Sequence, residues 1–336
     1  MTFEEFKNHV KDNILNYLPD EYQEARVELN ETQKNNGKVL TGLSIRPENT
    51  TIAPCLYLED FYAKMTSENQ SIIMICSQIA EIYQQALEQG KDNNLQDFAS
   101  AVTDYEQVKA KVLPKLINRE RNTNLLATVP HMNVADDLAV IYYVPLVNNK
   151  EIGMASFTIR NDMLAAYGAS VEELHEQAQK NQKDQIVFKS MIDTLCEIMI
   201  PGYNQMSETE KEEAAAEFCL APAGDSGPAM NVISNKTTVN GAAAILDTDT
   251  LDKIEEKLGK FIIIPSSIHE CILVTGAVTV SDIEQMIQEV NQTQVDPLEQ
   301  LSDHAYAYDS ETKELYRADR EAEREQSKED DDYTND

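Results

Sequence analysis

The most apolar part of the chain is a pair of short segments, residues 260–265 (KFIIIP) and 271–276 (CILVTG). Each is a run of mainly aliphatic and β-branched residues that is too short for a helix and is bounded by turn-forming residues. Strands with an uninterrupted apolar sequence are typically buried on both faces of a sheet. The sequence therefore predicts a hairpin at the centre of a sheet that other elements cover.

The order strand, strand, helix is predicted twice in the second half of the chain. Strands at 138–146 and 153–160 precede a helix at 171–180, and the central hairpin precedes a helix at 281–291. The earlier helix is preceded by Ser170 with Glu173 three residues later, the spacing of a capping box, and the later one carries apolar residues at steps of three and four. These two strand-strand-helix units predict an α+β fold with helices packed on a mixed sheet.

Residues 1–120 are predicted to form a separate region of helices and a hairpin. Thr2 and Glu5 have the spacing of a capping box at the start of an amphipathic helix. The Asn-Asn-Gly sequence at 35–37 lies between alternating segments and predicts a hairpin turn. Apolar residues at helical spacing predict a further helix at 95–116.

Residues 121–317 are predicted to form the α+β mixed-sheet domain. Within it, a strand at 242–246 and a helix at 251–258 lead into the central hairpin as a crossover unit. From residue 318 to 336 acidic residues dominate and no apolar residue recurs at helical spacing. This composition predicts a disordered acidic tail.

The formal net charge of −31 limits the partners that the protein is expected to bind. The chain has no basic excess with which to contact phosphates, so direct binding to nucleic acid or to anionic membranes is not expected. A basic protein partner, or simply a well-solvated surface, is favoured instead. An acidic surface can also imitate nucleic-acid phosphates, so a decoy for DNA-binding proteins is an alternative. The sequence leaves the oligomeric state open.

A cytoplasmic location is expected because the N-terminal sequence lacks a basic region followed by an apolar one, and no apolar run has the length of a membrane span. The cysteines are odd in number and widely spaced, without a Cys-x-x-Cys pair. This pattern is neither a disulfide framework nor a zinc motif. The cysteines are Cys55, Cys76, Cys196, Cys219 and Cys271.

Two loops carry residues that could catalyse hydrolysis. His131, Asp136 and Asp137 lie close together in the sequence before a strand, where a histidine and carboxylates could perform acid-base chemistry. Asp225 and Ser226 lie in a Gly-Asp-Ser-Gly-Pro loop that is similar to the nucleophile segment of chymotrypsin-like proteases. A Pro-Gly loop with Asp and Ser for turn hydrogen bonds is the simpler interpretation of these two residues.

No cofactor and no metal ion are predicted. The five histidines are scattered and form no His-x-x-x-His pair. The chain contains neither a P-loop sequence nor the Gly-x-Gly-x-x-Gly sequence of dinucleotide-binding folds.

Several segments resemble an uncharacterised protein family of Gram-positive anaerobic bacteria, and the resemblance extends over nearly the whole chain up to the tail. They are the N-terminal MTFEEFK, the hairpin sequence NNG, IAPCLYLE, ATVPHMN and LSDHAY. The second half is also distantly similar to another uncharacterised bacterial family with a strand-strand-helix arrangement. Neither resemblance supplies an activity or catalytic residues. The first functional hypothesis is therefore a non-enzymatic binding or protein-interaction module, and the second is a hydrolase.

Overall fold

The computed structural model describes residues 1–48, 53–92, 102–149, 153–217 and 229–321. The chain divides into two compact units, one of residues 1–108 with 146–156 and the other of residues 109–145 with 157 onward. Helices and antiparallel sheets together make up the described structure, which confirms the α+β class. The predicted domain boundary at 120/121 stays a prediction.

The first unit begins with helix α1 (Phe3–Asn13), whose capping box is formed as predicted. The amide of Thr2 donates to Glu5 Oε2 over 2.8 Å, and the Glu5 amide donates to Thr2 Oγ1 over 3.3 Å. Strands β1 (Arg26–Gln33), β2 (Val39–Arg46) and β3 (Cys55–Tyr57) form an antiparallel sheet in the order β1-β2-β3. Asn36, in the turn between β1 and β2, has a φ of 56°, as a tight hairpin turn requires.

Helices α2 (Leu58–Ser67) and α3 (Ile72–Asp92) also belong to the first unit. Their apolar residues join those of α1 and β2 in one buried cluster. Fully buried members include Phe6, Val10, Leu43, Leu58 and Tyr83.

The predicted helix at 95–116 is only partly present: of its described residues, 102–103 and 105–109 are helical, and the prediction is wrong from residue 113 onward. Residues 93–101 lie outside the described residues, a short helix α4 occupies Tyr105–Lys109, and strand β4 occupies Leu113–Asn118. Pro114 explains the change, because proline lacks an amide hydrogen and breaks the interior of a helix. Proline is tolerated in an edge strand, and β4 is an edge strand.

Strand β4 belongs to a four-stranded sheet with β5 (His131–Val134), β6 (Leu138–Asn149) and β7 (Gly153–Thr158). Short helix α5 (Thr123–Leu126) lies between β4 and β5 in the chain. Helices α6 (Asn161–Tyr167) and α7 (Val171–Lys183) follow β7. The first strand-strand-helix unit is therefore present, with an additional helix.

A six-stranded sheet contains the apolar hairpin as β10 (Ile262–Ile264) and β11 (Cys271–Thr275). Its order is β13-β12-β10-β11-β9-β8, so the hairpin occupies the two central positions, as predicted. Every neighbouring pair is antiparallel, and the sheet is therefore antiparallel where a mixed one was predicted. The other strands are β8 (Ile186–Ser190), β9 (Ala229–Asn235), β12 (Tyr306–Asp309) and β13 (Glu314–Arg317).

The predicted strand at 242–246 is wrong, because Gly241–Leu246 form a buried 3₁₀ helix. A Cβ atom on Gly241 would lie 2.2 Å from Ser234 Oγ and 2.6 Å from the His269 carbonyl oxygen. Glycine and the three alanines that follow it therefore allow this segment to approach its neighbours closely. Helix α10 (Thr248–Leu258) comes next and is capped by Asp247, so the predicted crossover unit starts from a 3₁₀ helix.

Helices α8 (Met191–Met199), α9 (Glu208–Glu217) and α11 (Val280–Thr293) complete the second unit. After β13, Ala318–Arg320 form a 3₁₀ turn in which Ala318 is buried. The ordered chain thus continues past residue 318, where the acidic tail was predicted to begin. Residues 322–336 of that predicted tail lie outside the described residues.

Replacing Ile263 by alanine should lower the free energy of unfolding by roughly 2–5 kcal/mol, because the side chain is fully buried and its loss leaves a cavity. Urea denaturation of the variant measures this change. Ile262→Ala is the matched control, since Ile262 is only partly buried on the same strand and should lose less. Equal, near-neutral effects at both positions would contradict the central placement of β10.

Candidate functional site

A buried carboxylate lies under the C-terminal hairpin of the second unit. Asp137 follows the turn between β5 and β6, in which Ala135 and Asp136 have φ angles of 42° and 57°. The Asp137 amide donates to the Ala135 carbonyl, and its own carbonyl accepts from the Arg119 amide over 2.7 Å. These bonds fix the backbone from which the Asp137 side chain extends.

Three side chains donate hydrogen bonds to the Asp137 carboxylate. Asn118 Nδ2 and Ser302 Oγ donate to Oδ2 over 3.2 Å and 2.9 Å, and the Tyr306 hydroxyl donates to Oδ1 over 2.7 Å. The exposed fraction is only 4% for Asp137 and zero for Ser302 and Tyr306. Burial, together with the negative charge of Asp137, raises the pKa of Tyr306 well above its ordinary value. The tyrosine therefore stays protonated as a donor.

Residues next to Ser302 extend this network toward the surface. Asn291 of α11 donates to the Ser302 carbonyl over 3.0 Å and to Asp303 Oδ1 over 2.8 Å. Arg121 forms an ion pair with Asp303. The segment before β12 is thus held from both α11 and the loop after β4.

Asp136, the neighbour of Asp137, binds the other end of the same hairpin. Its carboxylate accepts from the Arg317 amide over 3.3 Å and from Arg320 over 3.0 Å. Adjacent residues of one turn therefore hold the segment before β12 and the segment after β13. We call Asp136, Asp137 and the groups that bind them the C-terminal clasp.

A second group of charged side chains lies around His304, beside the clasp. His304 Nδ1 is 3.2 Å from Glu284 Oε1, which also accepts from the Ala305 amide over 3.3 Å. Asp319 accepts from Arg317 Nε over 3.0 Å and forms an ion pair with the same guanidinium at 2.6 Å. The hydrogen bond from Arg317 lowers the pKa of the Asp319 carboxyl.

The structure brings only part of the predicted hydrolase residues together. Asp136 and Asp137 share the clasp, whereas His131 lies three residues before the end of β5, about 10 Å from that turn along an extended strand. The His131 ring contacts the carbonyl oxygen of Val129 over 3.1 Å. Asp225 and Ser226 lie outside the described residues.

The clasp is suited to holding the fold, since its central carboxylate is shielded from solvent and its donors are buried. Asn118, Ser302 and Tyr306 were not among the predicted site residues. Ser302 and Tyr306 do belong to the LSDHAY segment, whose three consecutive polar residues after an apolar one are the available sequence signal. Asn118 carries no such signal, because its partner is distant in the chain.

The fold and the clasp define an α+β protein with a buried carboxylate that secures its C-terminal hairpin. The chain belongs to a family of unknown function, DUF5688, whose sequence profile matches residues 3–310. This match confirms the resemblance to an uncharacterised family over nearly the whole chain. No curated protein and no solved structure matches it. Among the described residues, no helix combines the length and the apolar character needed to cross a membrane.

Asp137→Asn should destabilise the protein by about 1–3 kcal/mol, because the new amide group presents a donor to one of the three donors around it. Chemical denaturation measures the loss. Asp136→Asn is the matched control: Asp136 is partly exposed, so its ion pair with Arg320 should contribute no more than about 1 kcal/mol. A loss at Asp137 no larger than that at Asp136 would contradict the role assigned to the buried carboxylate.

Tyr306→Phe should make the free energy of unfolding depend less strongly on pH at alkaline pH. The native state keeps the Tyr306 proton, whereas the unfolded chain releases it above about pH 10, so stability falls as pH rises beyond that value. Removing this group should make the free energy of unfolding fall less steeply, by about 1.4 kcal/mol per pH unit. Urea unfolding at several pH values between 8 and 11 tests this, and identical slopes for both proteins would refute it.

Proposed function

We propose that this protein is a non-enzymatic, cytoplasmic interaction module that binds a basic amphipathic segment of a partner protein. The observation that supports this proposal is an exposed apolar stripe on helix α8. The stripe consists of Leu195, Ile198 and Met199, which are exposed by 36%, 77% and 50%. Residues three and four apart lie on the same side of a helix, so these side chains form one surface.

A different side of α8 already anchors the helix. Cys196 and Ile200 are buried with Tyr203 and with Ala215 of α9. The Tyr203 hydroxyl donates to Asp193 Oδ1 over 2.9 Å. The stripe is therefore not needed to dock the helix, and apolar surface of this kind is typical of contact sites for other proteins.

Acidic residues accompany the stripe. Glu197 lies on α8 itself and is paired with Lys189 at 2.5 Å, while the adjoining helix α9 exposes Glu208, Glu212 and Glu213. Lys211 forms an ion pair with Glu208 at 2.8 Å, and the carboxylates of Glu212 and Glu213 are not part of this pair. With the net charge of −31, this surface favours a positively charged occupant with an apolar face.

The cytoplasmic part of the proposal is supported by the free thiols of Cys55, Cys76, Cys196 and Cys271. The hydrolase hypothesis stays a prediction, and the described geometry favours it less. Asp137 is enclosed by its three donors, and His131 bonds to a backbone carbonyl away from it.

Binding of a fluorescent peptide of roughly 18 residues, with leucines at helical spacing and lysines elsewhere, tests the proposal. Fluorescence anisotropy should show saturable binding to the full chain. Ile198→Asp should weaken binding by about tenfold or more, because the substitution places a charge in the apolar stripe. The matched control is Met286→Asp, which makes the same change at an exposed apolar residue of α11 and should leave the affinity unchanged.

A scrambled peptide of equal composition separates specific binding from attraction to the acidic surface as a whole. Equal affinity for both peptides, or an Ile198→Asp variant that binds like the wild type, would overturn the proposal. Sedimentation equilibrium provides a further check. A dimer that Ile198→Asp dissociates would show that a second copy of the chain, and not a basic partner, occupies the stripe.

A further inference from the structure

We propose that Glu284, His304 and Asp319 form a binding site for a divalent transition-metal ion such as Zn²⁺. Each of these residues offers one ligand atom, and the three atoms lie within 4.8 Å of one another. Zinc ligands at about 2.1 Å from the ion are about 3.4 Å apart in a tetrahedral arrangement. Small rotations of the side chains therefore suffice to bring the three atoms into the first coordination shell.

The three residues converge from different parts of the chain. Glu284 lies near the start of α11, His304 in the segment before β12, and Asp319 in the 3₁₀ turn after β13. Contacts that do not involve the three side chains hold these parts in place. The Ala318 amide donates to the Ala305 carbonyl over 2.9 Å, and Asn291 binds the Ser302 carbonyl. The arrangement is thus present before an ion binds.

The donor set determines which ions the site favours. One imidazole nitrogen with two carboxylate oxygens suits zinc and similar transition metals, whereas calcium and magnesium prefer oxygen ligands alone. Three protein ligands also leave a coordination position for water. The side chains of His304 and Glu284 are exposed by 29% and 17%, so an ion can reach them from solvent.

The surroundings provide the outer contacts that metal ligands usually have. Arg317 holds the Asp319 carboxylate, and the Ala305 amide binds Glu284. Two guanidinium groups, of Arg317 and Arg320, lie nearby, and each is paired with a carboxylate, Asp319 and Asp136 respectively. Glu284 adds a further negative charge, so the carboxylates of this group outnumber the guanidinium groups.

An ion at this position would join α11 to both ends of the C-terminal hairpin. The clasp secures the same hairpin from the turn between β5 and β6. Metal binding would therefore stabilise the folded chain, since an ion that binds only the native state raises the free energy of unfolding. This role is independent of the stripe on α8.

Isothermal titration of the chelator-treated full chain with ZnCl₂ tests the site. The wild type should bind one ion that His304→Ala, Glu284→Gln and Asp319→Asn each weaken by about tenfold or more. The matched control is His269→Ala, because His269 also lies beside a glutamate, with Nε2 3.5 Å from Glu299 Oε1, but outside the three-residue group. It should bind Zn²⁺ like the wild type. MgCl₂ should bind far more weakly.

The two isosteric carboxylate variants keep the test valid if His304→Ala fails to fold. Zn²⁺ should also raise the melting temperature of the wild type and of His269→Ala by more than it raises that of Glu284→Gln. Absence of binding to the wild type would overturn the proposal. Binding that all three variants retain would do the same, since it would place the ion elsewhere, for example on the exposed thiol of Cys55.

Discussion

The C-terminal part of the second unit depends on the burial of one charge, the carboxylate of Asp137. Moving an ionised carboxylate out of water costs several kcal/mol unless hydrogen-bond donors replace the lost solvent. Asn118, Ser302 and Tyr306 supply such donors from three segments of the chain. The buried charge is stabilised only when every donor is in place. The positions of β4, the turn before β6 and the C-terminal hairpin therefore depend on one another.

This coupling explains why the last described elements are ordered although the sequence turns acidic. Arg317 ends the last strand and Arg320 follows it, and their ion pairs with Asp319 and Asp136 match opposite charges in a chain with a large negative excess. Ala318 is buried between them. The 3₁₀ turn after β13 is thus stabilised by partners that are distant in the sequence. A prediction of disorder from residue 318 that uses local composition does not take such partners into account.

Sequence reasoning was most successful where the physical signal is local. The capping box of α1 and the turn at Asn36 involve residues within a few positions of one another, and the apolar sequence of β10 and β11 reports burial directly. It failed where two signals compete. Apolar spacing at 95–116 predicted a helix, but Pro114 and burial on both faces of β4 favour a strand. At 242–246 the small side chains serve close packing and do not mark a strand.

The candidate sites were harder to predict, because their residues meet only in the folded chain. Asp136 and Asp137 were found as neighbours in a turn, but the partners of Asp137 lie 19, 165 and 169 positions away. Glu284, His304 and Asp319 have no characteristic spacing in the sequence. The lack of a His-x-x-x-His pair therefore gave no information about this group. Both groups contact the segments that flank the C-terminal hairpin. These contacts secure the hairpin without using the exposed apolar residues of α8. Those residues are therefore not required for the fold, and an interaction function for them is physically consistent with the structure.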